Sequence, residues 1–402
     1  MRNNTLMFGF VLVLIIVSPF LAVWTYTPQT TTVPEFYFGV EYAVDDHSVE
    51  DCKALVDRTK EFTNMFVVDS FGITSDVIKL NEVCDYVYDA GLDFLVFFIS
   101  PIGDEMMFRY NFWPHLWISD AVDRYGDQFL GAYAMDEPGG SQLDIGNFRM
   151  MNPEDIESAS QATSLYVENL DAHVEYYTQI TDYEDITVLT ADYGLYWFDY
   201  KAGYDTILAE FGWNQSRQLH VALCRGAATV QDQDWGIIET WTYNHSPYMT
   251  SAEELYDDMV LAYNNGAKYF VIFDHPATDF SDYGILTDEH FQAMEDFWEY
   301  VENNPDKHGV EKASIAYVVP ETFGYCFRNG HDKVWGLDPY KFVEDRWGDY
   351  NATELAQKVW MDVTYLLDEY GSGLDIVYSD PDFDAVLTKK YDELFFWNQT
   401  VT

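Results

Sequence analysis

Eight short apolar runs, each followed by a segment of helical period, occupy residues 36 to 305, and this alternation limits the possible folds more than any other feature of the chain. Parallel strands need a crossover of a dozen or more residues, which a helix supplies, so the pattern predicts a parallel sheet with helices packed outside it. The runs are "FYFGVEY", "NMFVVDS", "LDFLVFFIS", "FLGAYAMDE", "ITVLTADYG", "TILAEFGW", "WGIIETW" and "YFVIFDH". Between them lie amphipathic stretches such as "VEDCKALVDRTKEFT", "DVIKLNEVCDYVYDAG" and "SAEELYDDMVLAYNNGA". Several open on Ser, Thr, Asp or Asn and several end in Gly, as helix capping requires. Eight strand–helix units in about 270 residues match the size of a closed (β/α)8 barrel. The rival, a doubly wound open sheet, has no glycine-rich dinucleotide fingerprint after its first strand.

Residues 313–402 read differently, with strand patterns "SIAYVVP", "LDIVYSD" and "ELFFWN" around one long helix, "ATELAQKVWMDVTYLLDEYG". This predicts a small α/β domain, a truncated flavodoxin-like layer packed on the barrel. Its aromatic loop "ETFGYCFRNGHDKVWG" is expected to cover the domain junction rather than reach a neighbouring site. At the other end, residues 1–24 place one Arg ahead of a long apolar stretch, followed by a Thr/Pro-rich linker at 25–35. That is an export segment, either a cleaved signal or an uncleaved membrane anchor, and it implies an extracellular or cell-surface location. Asn214, Asn244, Asn351 and Asn398 match the glycosylation acceptor pattern. Cys52, Cys84, Cys224 and Cys326 lack metal-site spacing; buried free thiols are the default, with a Cys52–Cys84 pair the alternative outside the cell.

The chain carries 69 acids against 21 basic residues, a formal net charge of −48. Such a field repels phosphate backbones, so nucleic acid is excluded as a partner. The acids are spread over the whole length, yet they also gather at one kind of place. Glu41, Asp69, the pair Asp136 and Glu137, Asp192, Glu210, Glu239 and Asp274 each fall at or near the end of a predicted strand. In a (β/α)8 barrel the C-terminal strand ends build the mouth where catalytic groups sit. Glu137 and Glu239 are about three strand–helix units apart, on strands four and seven. Two opposed carboxyls about 5–5.5 Å apart are what retaining glycoside hydrolysis needs, one as acid and the other as nucleophile. Crowded carboxylates also raise one another's pKa, which keeps a proton available.

At these residues the sequence resembles clan A of the retaining glycoside hydrolases. Those barrels carry an acid/base Glu after strand four, usually as Asn-Glu-Pro, and a nucleophilic Glu at the end of strand seven; "MDEP" and "WGIIETW" are similar to the two places. The barrel followed by a small α/β domain is similar to some β-galactosidase-like members. The resemblance implies Glu137 as acid/base and Glu239 as nucleophile. Asp136 stands where the clan normally has Asn, the residue that holds the sugar's 2-hydroxyl. Adjacent Asp-Glu after strand four is instead similar to N-acetylhexosaminidases that use the substrate's acetamide. That likeness implies Asp136 orienting the acetamide, Glu137 as acid/base and Glu239 as a binding residue.

Glu41, Asp69, Asp192, Glu210 and Asp274 are then expected to hold the sugar, with Trp213, Trp241 and Tyr243 offering flat faces for stacking. Trp113, Trp117 and Trp197 also fall in or beside predicted mouth loops, His245 and His275 near the ends of strands seven and eight, and Gly139 and Gly140 permit the turn after Pro138. No His/Asp/Glu cluster has metal-ligand spacing, so neither metal nor other cofactor is expected. The partner is a carbohydrate, and the membrane as well if the N-terminal segment stays attached. The rival from another class is a surface or envelope protein whose barrel binds carbohydrate without catalysis.

Overall fold

The apolar runs pair in sequence order and close on themselves. In the computed structural model, which describes residues 35–43, 48–99, 109–144, 150–178, 186–213, 215–274 and 284–401, the strands are β1 (Tyr37–Tyr42), β2 (Met65–Val68), β3 (Asp93–Phe98), β4 (Phe129–Asp136), β5 (Thr187–Asp192), β6 (Thr206–Phe211), β7 (Asp234–Glu239) and β8 (Tyr269–Asp274). Each pairs in parallel with the next, and β8 returns to β1, so the sheet is the closed (β/α)8 barrel that the alternation predicts. The export segment, Asn214 and His275 lie outside the described residues. Among the described residues no helix is long and apolar enough to cross a membrane.

Successive side chains on a strand point to opposite faces, so each strand contributes one set to the barrel interior and one to the helical layer. The inner set, including Met65, Val67, Leu95, Leu189, Leu208 and Val271, forms a small cluster of its own. The outer set joins the helices in a far larger apolar cluster that extends into the C-terminal layer. Polar residues start the helices as expected: Ser48, Ser216 and Ser251 accept backbone N–H bonds from the first turns of the helices they precede.

The C-terminal residues form a three-stranded parallel sheet of β9 (Ile315–Val319), β10 (Leu374–Tyr378) and β11 (Glu393–Phe396), in the order β10-β9-β11. This is the order of the first three strands of a flavodoxin-like sheet, as a truncated layer would have it. Asn351, one of the acceptor-pattern asparagines, caps the helix Ala352–Tyr370 between β9 and β10. The layer lies against the barrel helix Arg217–Gln231, where a Cβ on Gly226 would come within 2.7 Å of the Ile376 carbonyl oxygen. From the same helix, buried Arg225 donates to Asp375 (2.9 Å), to the carbonyls of Ser372 (2.7 Å) and Leu374 (3.2 Å), and to Asn265.

Two tryptophans expected near the mouth are elsewhere. Trp197 is buried at this junction against Tyr378 and Phe383, and Trp117 is buried between Phe98 and Phe129 with its indole N–H on Asn81. All four cysteines are buried free thiols, so Cys52 and Cys84 are not paired.

Replacing Arg225 with Ala leaves Asp375, 1% exposed, without its cation. Stability is expected to fall by about 3–5 kcal/mol, the usual cost of breaking a buried ion pair. Chemical denaturation followed by tryptophan fluorescence, to which Trp197 at the same junction contributes, checks this.

Candidate active site

Strict alternation would turn Asp136 out of the barrel. Tyr133 faces inward, so Met135 would be the next inward residue on β4. A bulge changes this: Tyr133 is opposite Leu189 and Asp136 opposite Ala191, three residues of β4 against two of β5. Met135 takes a left-handed conformation (φ 66°), and the carbonyls displaced there are satisfied by Thr190 (2.9 Å to Met135) and Tyr204 (2.9 Å to Ala134). Asp136 is thereby aimed into the barrel mouth. Glu137 is left-handed too (φ 46°, ψ 50°), a conformation that costs a residue with a side chain about 1–3 kcal/mol.

Both acids line one cavity of about 240 Å³ at the C-terminal end of the barrel, together with Glu41, Asp69, Glu210, Tyr133, Phe97, Phe273, Trp213, Thr240 and Trp241. Asp136 is solvent-exposed by area although barrel atoms surround it, because its solvent is the cavity's own. It accepts a hydrogen bond from the Tyr133 hydroxyl (3.0 Å). Burial, then the neighbouring Asp136 charge, pushes the Glu137 carboxyl up to about 7. Its side chain is in hydrogen-bond contact with Glu210, whose own carboxyl burial and the Glu137 charge push well above the ordinary range. Two carboxyls in such contact require a proton between them, so their titrations are linked. Across the mouth, Glu41 is raised in the same sense, by burial and then by Asp69, with which it is also in side-chain hydrogen-bond contact.

Three of the expected strand-end acids do not reach the cavity, because alternation turns them outward. Asp192 is fully buried and accepts the backbone N–H groups of Gly139, Gly140 (2.9 Å) and Gly194 (3.1 Å). It thus holds the start of the helix Pro138–Leu143, directly after Glu137. Gly139 and Gly140 are required for close approach: a Cβ on Gly140 would come within 2.2 Å of the Tyr193 ring. Asp274 accepts the Ile285 N–H (2.9 Å), and burial pushes its carboxyl up to about 7. Glu239 sits between the cavity-lining residues Ile238 and Thr240 and points the other way. It is fully buried, bonded by Arg217 (3.1 Å), which also donates to Asp258 (3.0 Å), itself in contact with Glu239. Glu137 and Glu239 therefore do not face each other, and the partner that the structure gives Glu137 is Glu210. The signal was in the sequence: Leu208 and Ile238 share the interior, so Glu210 follows the inner parity and Glu239 breaks it.

Trp213 and Trp241 line the cavity; Tyr243 does not, and stacks on His245 (5.8 Å between ring centres). Trp113 is exposed, also away from the cavity lining. The C-terminal loop expected at the junction does pack there, and it grips the helix that follows Glu137. Arg328 donates two bonds to Asp144 (2.6 and 2.7 Å) and lies over the Tyr193 ring, Tyr193 also donates to Asp144 (2.8 Å), and Gln142 donates to the Trp335 carbonyl (3.1 Å). Among the described residues no group of three His, Cys, Asp or Glu is disposed to hold a metal ion.

No family model matches the sequence, and no curated protein matches it. The fold has counterparts among solved structures. A β-galactosidase from Bacillus circulans sp. alkalophilus aligns with a TM-score of 0.55 at 12% identity, over 90% of this chain and 67% of that one. An α-L-fucosidase isoenzyme 2 from Paenibacillus thiaminolyticus gives 0.49 at 10% identity, over 89% and 59% of the two chains. A glycoside hydrolase family 5 enzyme from Prevotella bryantii B14 gives 0.41 at 9% identity, over 66% and 96%. At such identities the likeness is one of fold. The barrel, from β1 to the helix ending at Asn303, is about two thirds of the chain, so the 90% cover of the first match takes in the C-terminal layer too.

The cavity carboxyls also set how stability depends on pH. Glu41, Asp136, Glu137 and Glu210 all bind protons more tightly in the folded state than an ordinary carboxyl. These carboxyls then hold more protons in the fold than in the unfolded chain between about pH 4 and the raised values, and their contribution to stability falls as pH rises through that window. His115, His173, His220 and His290, held low by burial, act in the opposite sense in its lower part. Asp76 and Glu254, held low by backbone N–H bonds, act only below it. The thermal midpoint is expected to be higher near about pH 5 than near about pH 8 at equal ionic strength. Scanning calorimetry of wild type and Glu210→Gln checks this, the variant showing the smaller difference.

Proposed function

We propose that this cavity hydrolyses O-glycosidic bonds, with Glu137 as general acid and Asp136 as the carboxylate that meets the positive charge developing on the sugar. The observation that carries the reading is that a bulge and a left-handed residue bring two sequence-adjacent acids into one cavity, where one of them titrates near neutrality. Glycoside cleavage passes through an oxocarbenium-like transition state that needs a proton on the leaving oxygen and negative charge beside the ring. Glu137, in contact with Glu210, gives its proton to the leaving alcohol oxygen; Asp136, steadied by Tyr133, faces the developing charge. Water then bonds to the anomeric carbon and returns a proton to the Glu137 carboxylate. Trp213 and Trp241 offer faces for the ring. The likeness to β-galactosidase supports this only as an analogy of fold. The substrate is an extracellular or surface glycan, reached because the N-terminal segment exports the body; protease accessibility on intact cells tests that part.

The retaining double displacement through Glu137 and Glu239 is not part of this reading, since Glu239 is committed to Arg217. The same observation favours a second reading, a carbohydrate-binding barrel without catalysis.

A screen of aryl glycosides on wild type, Glu137→Gln, Asp136→Asn and Glu239→Gln separates the two. Glu137→Gln is expected to lower kcat by about 10²–10⁴-fold. Because the acid must hold its proton, kcat/KM of the wild type falls as pH rises above about 7. Glu239→Gln is expected to lower the thermal midpoint and leave the shape of the pH profile intact. Sugar binding that depends on Trp213, with no glycoside cleaved, establishes the second reading instead.

A further inference from the structure

Glycoside cleavage by Asp136 and Glu137 leaves an imbalance in the cavity unaccounted for. Beyond Asp136, Glu137 and its partner Glu210, two more carboxyls, Glu41 and Asp69, line it, and among the described residues no lysine, arginine or histidine does. Glu41 is 2% exposed, yet its Oε2 has no hydrogen-bond partner. A buried carboxyl oxygen without a hydrogen-bond partner is costly, and neighbouring carboxyls cannot all ionise unaided. Tyr133 and Thr240 add hydroxyls only, while Phe97, Trp213, Trp241 and Phe273 present rings, which attract cations as well as the apolar faces of sugars.

These features narrow the ligand chemistry. A uronic acid is repelled, and a neutral sugar brings hydroxyl donors without charge. A bare divalent ion fits poorly, because no three of these acids are disposed to hold one and the space is about 240 Å³. A pyranose bearing a cationic nitrogen meets both the acids and the rings. We propose that the site selects amino sugars with a free ammonium group, received by Glu41 with Asp69 beside it. The inference rests on the glycosidase reading of the same cavity and names its substrate class. Since burial holds the Glu41 carboxyl well above its ordinary range, the arriving ammonium displaces a proton from it to solvent.

The test uses the full chain. Isothermal calorimetry in two buffers of different ionisation heat compares glucosamine and galactosamine with glucose, galactose and N-acetylglucosamine, and kcat/KM is measured on the matching aryl glycosides of both anomers. The expected result is amine over hydroxyl by on the order of tenfold or more in affinity, with proton release. Glu41→Gln, and independently Asp69→Asn, reduce that ratio by a similar factor. Equal affinities, tightest binding of N-acetylglucosamine, or stoichiometric Mg²⁺ or Ca²⁺ binding that depends on Glu41 and displaces glucosamine each overturn the inference. If amines bind through Glu41 and no glycoside is cleaved, the hydrolase reading fails while this one stands. Cleavage of neutral glycosides that depends on Glu137, without amine preference, gives the reverse.

Discussion

The side-to-side alternation of a parallel strand, broken just before Asp136, decides which acids of this barrel meet. Every strand sends alternate residues inward, and the closed sheet leaves them one shared interior. Glu41, Asp69 and Glu210 reach the mouth by following that rule; Asp136 reaches it because β4 carries one extra residue against β5. Asp192, Glu239 and Asp274 obey the same rule in the other sense and become structural, one holding backbone N–H groups after Glu137, one in an ion pair, one fixing the chain after β8. A charged side chain in an acidic protein is therefore assigned its work by parity before any detail of its neighbours matters.

Five carboxyls around one cavity oppose folding, and the structure shows how the opposition is contained. The side-chain contacts of Glu137 with Glu210 and of Glu41 with Asp69 each require a proton between two carboxyl groups, so the cluster need not carry its full charge. The left-handed backbone at Glu137 is over-determined from behind: Asp192 holds the next helix by its N–H groups, and the C-terminal loop grips its far end through Arg328 and Trp335. Strain and charge repulsion at a site, with the remedy in surrounding packing, is the arrangement expected where a group must keep an unusual proton affinity.

The fold was legible because it depends on patterns that single residues do not upset. Runs such as "TILAEFGW" are apolar on both faces, helices between them are capped, and their number dictates closure. The C-terminal strands were equally plain. The site was legible only in part. That acids would gather at strand ends could be read directly; which of them face inward needed each strand's register, and a bulge has no signature in "AYAMDEP" beyond the glycines that follow. Glu239 matched a motif by position, while the residues that turn it into a wall group, Arg217 and Asp258, lie on two different helices and announce nothing. Trp197 likewise follows β5 as a mouth residue would, but Tyr378 and Phe383 of the C-terminal layer cover it.

The grip of Arg328 on Asp144 spans 184 positions of the chain. During synthesis, which proceeds from the N-terminus, all eight barrel strands are complete before residue 328 leaves the ribosome, so the barrel can close around a mouth whose turn after β4 is still unsupported. Closure of the cylinder can thus precede support of the turn that follows Glu137, which becomes available only with the last quarter of the polypeptide.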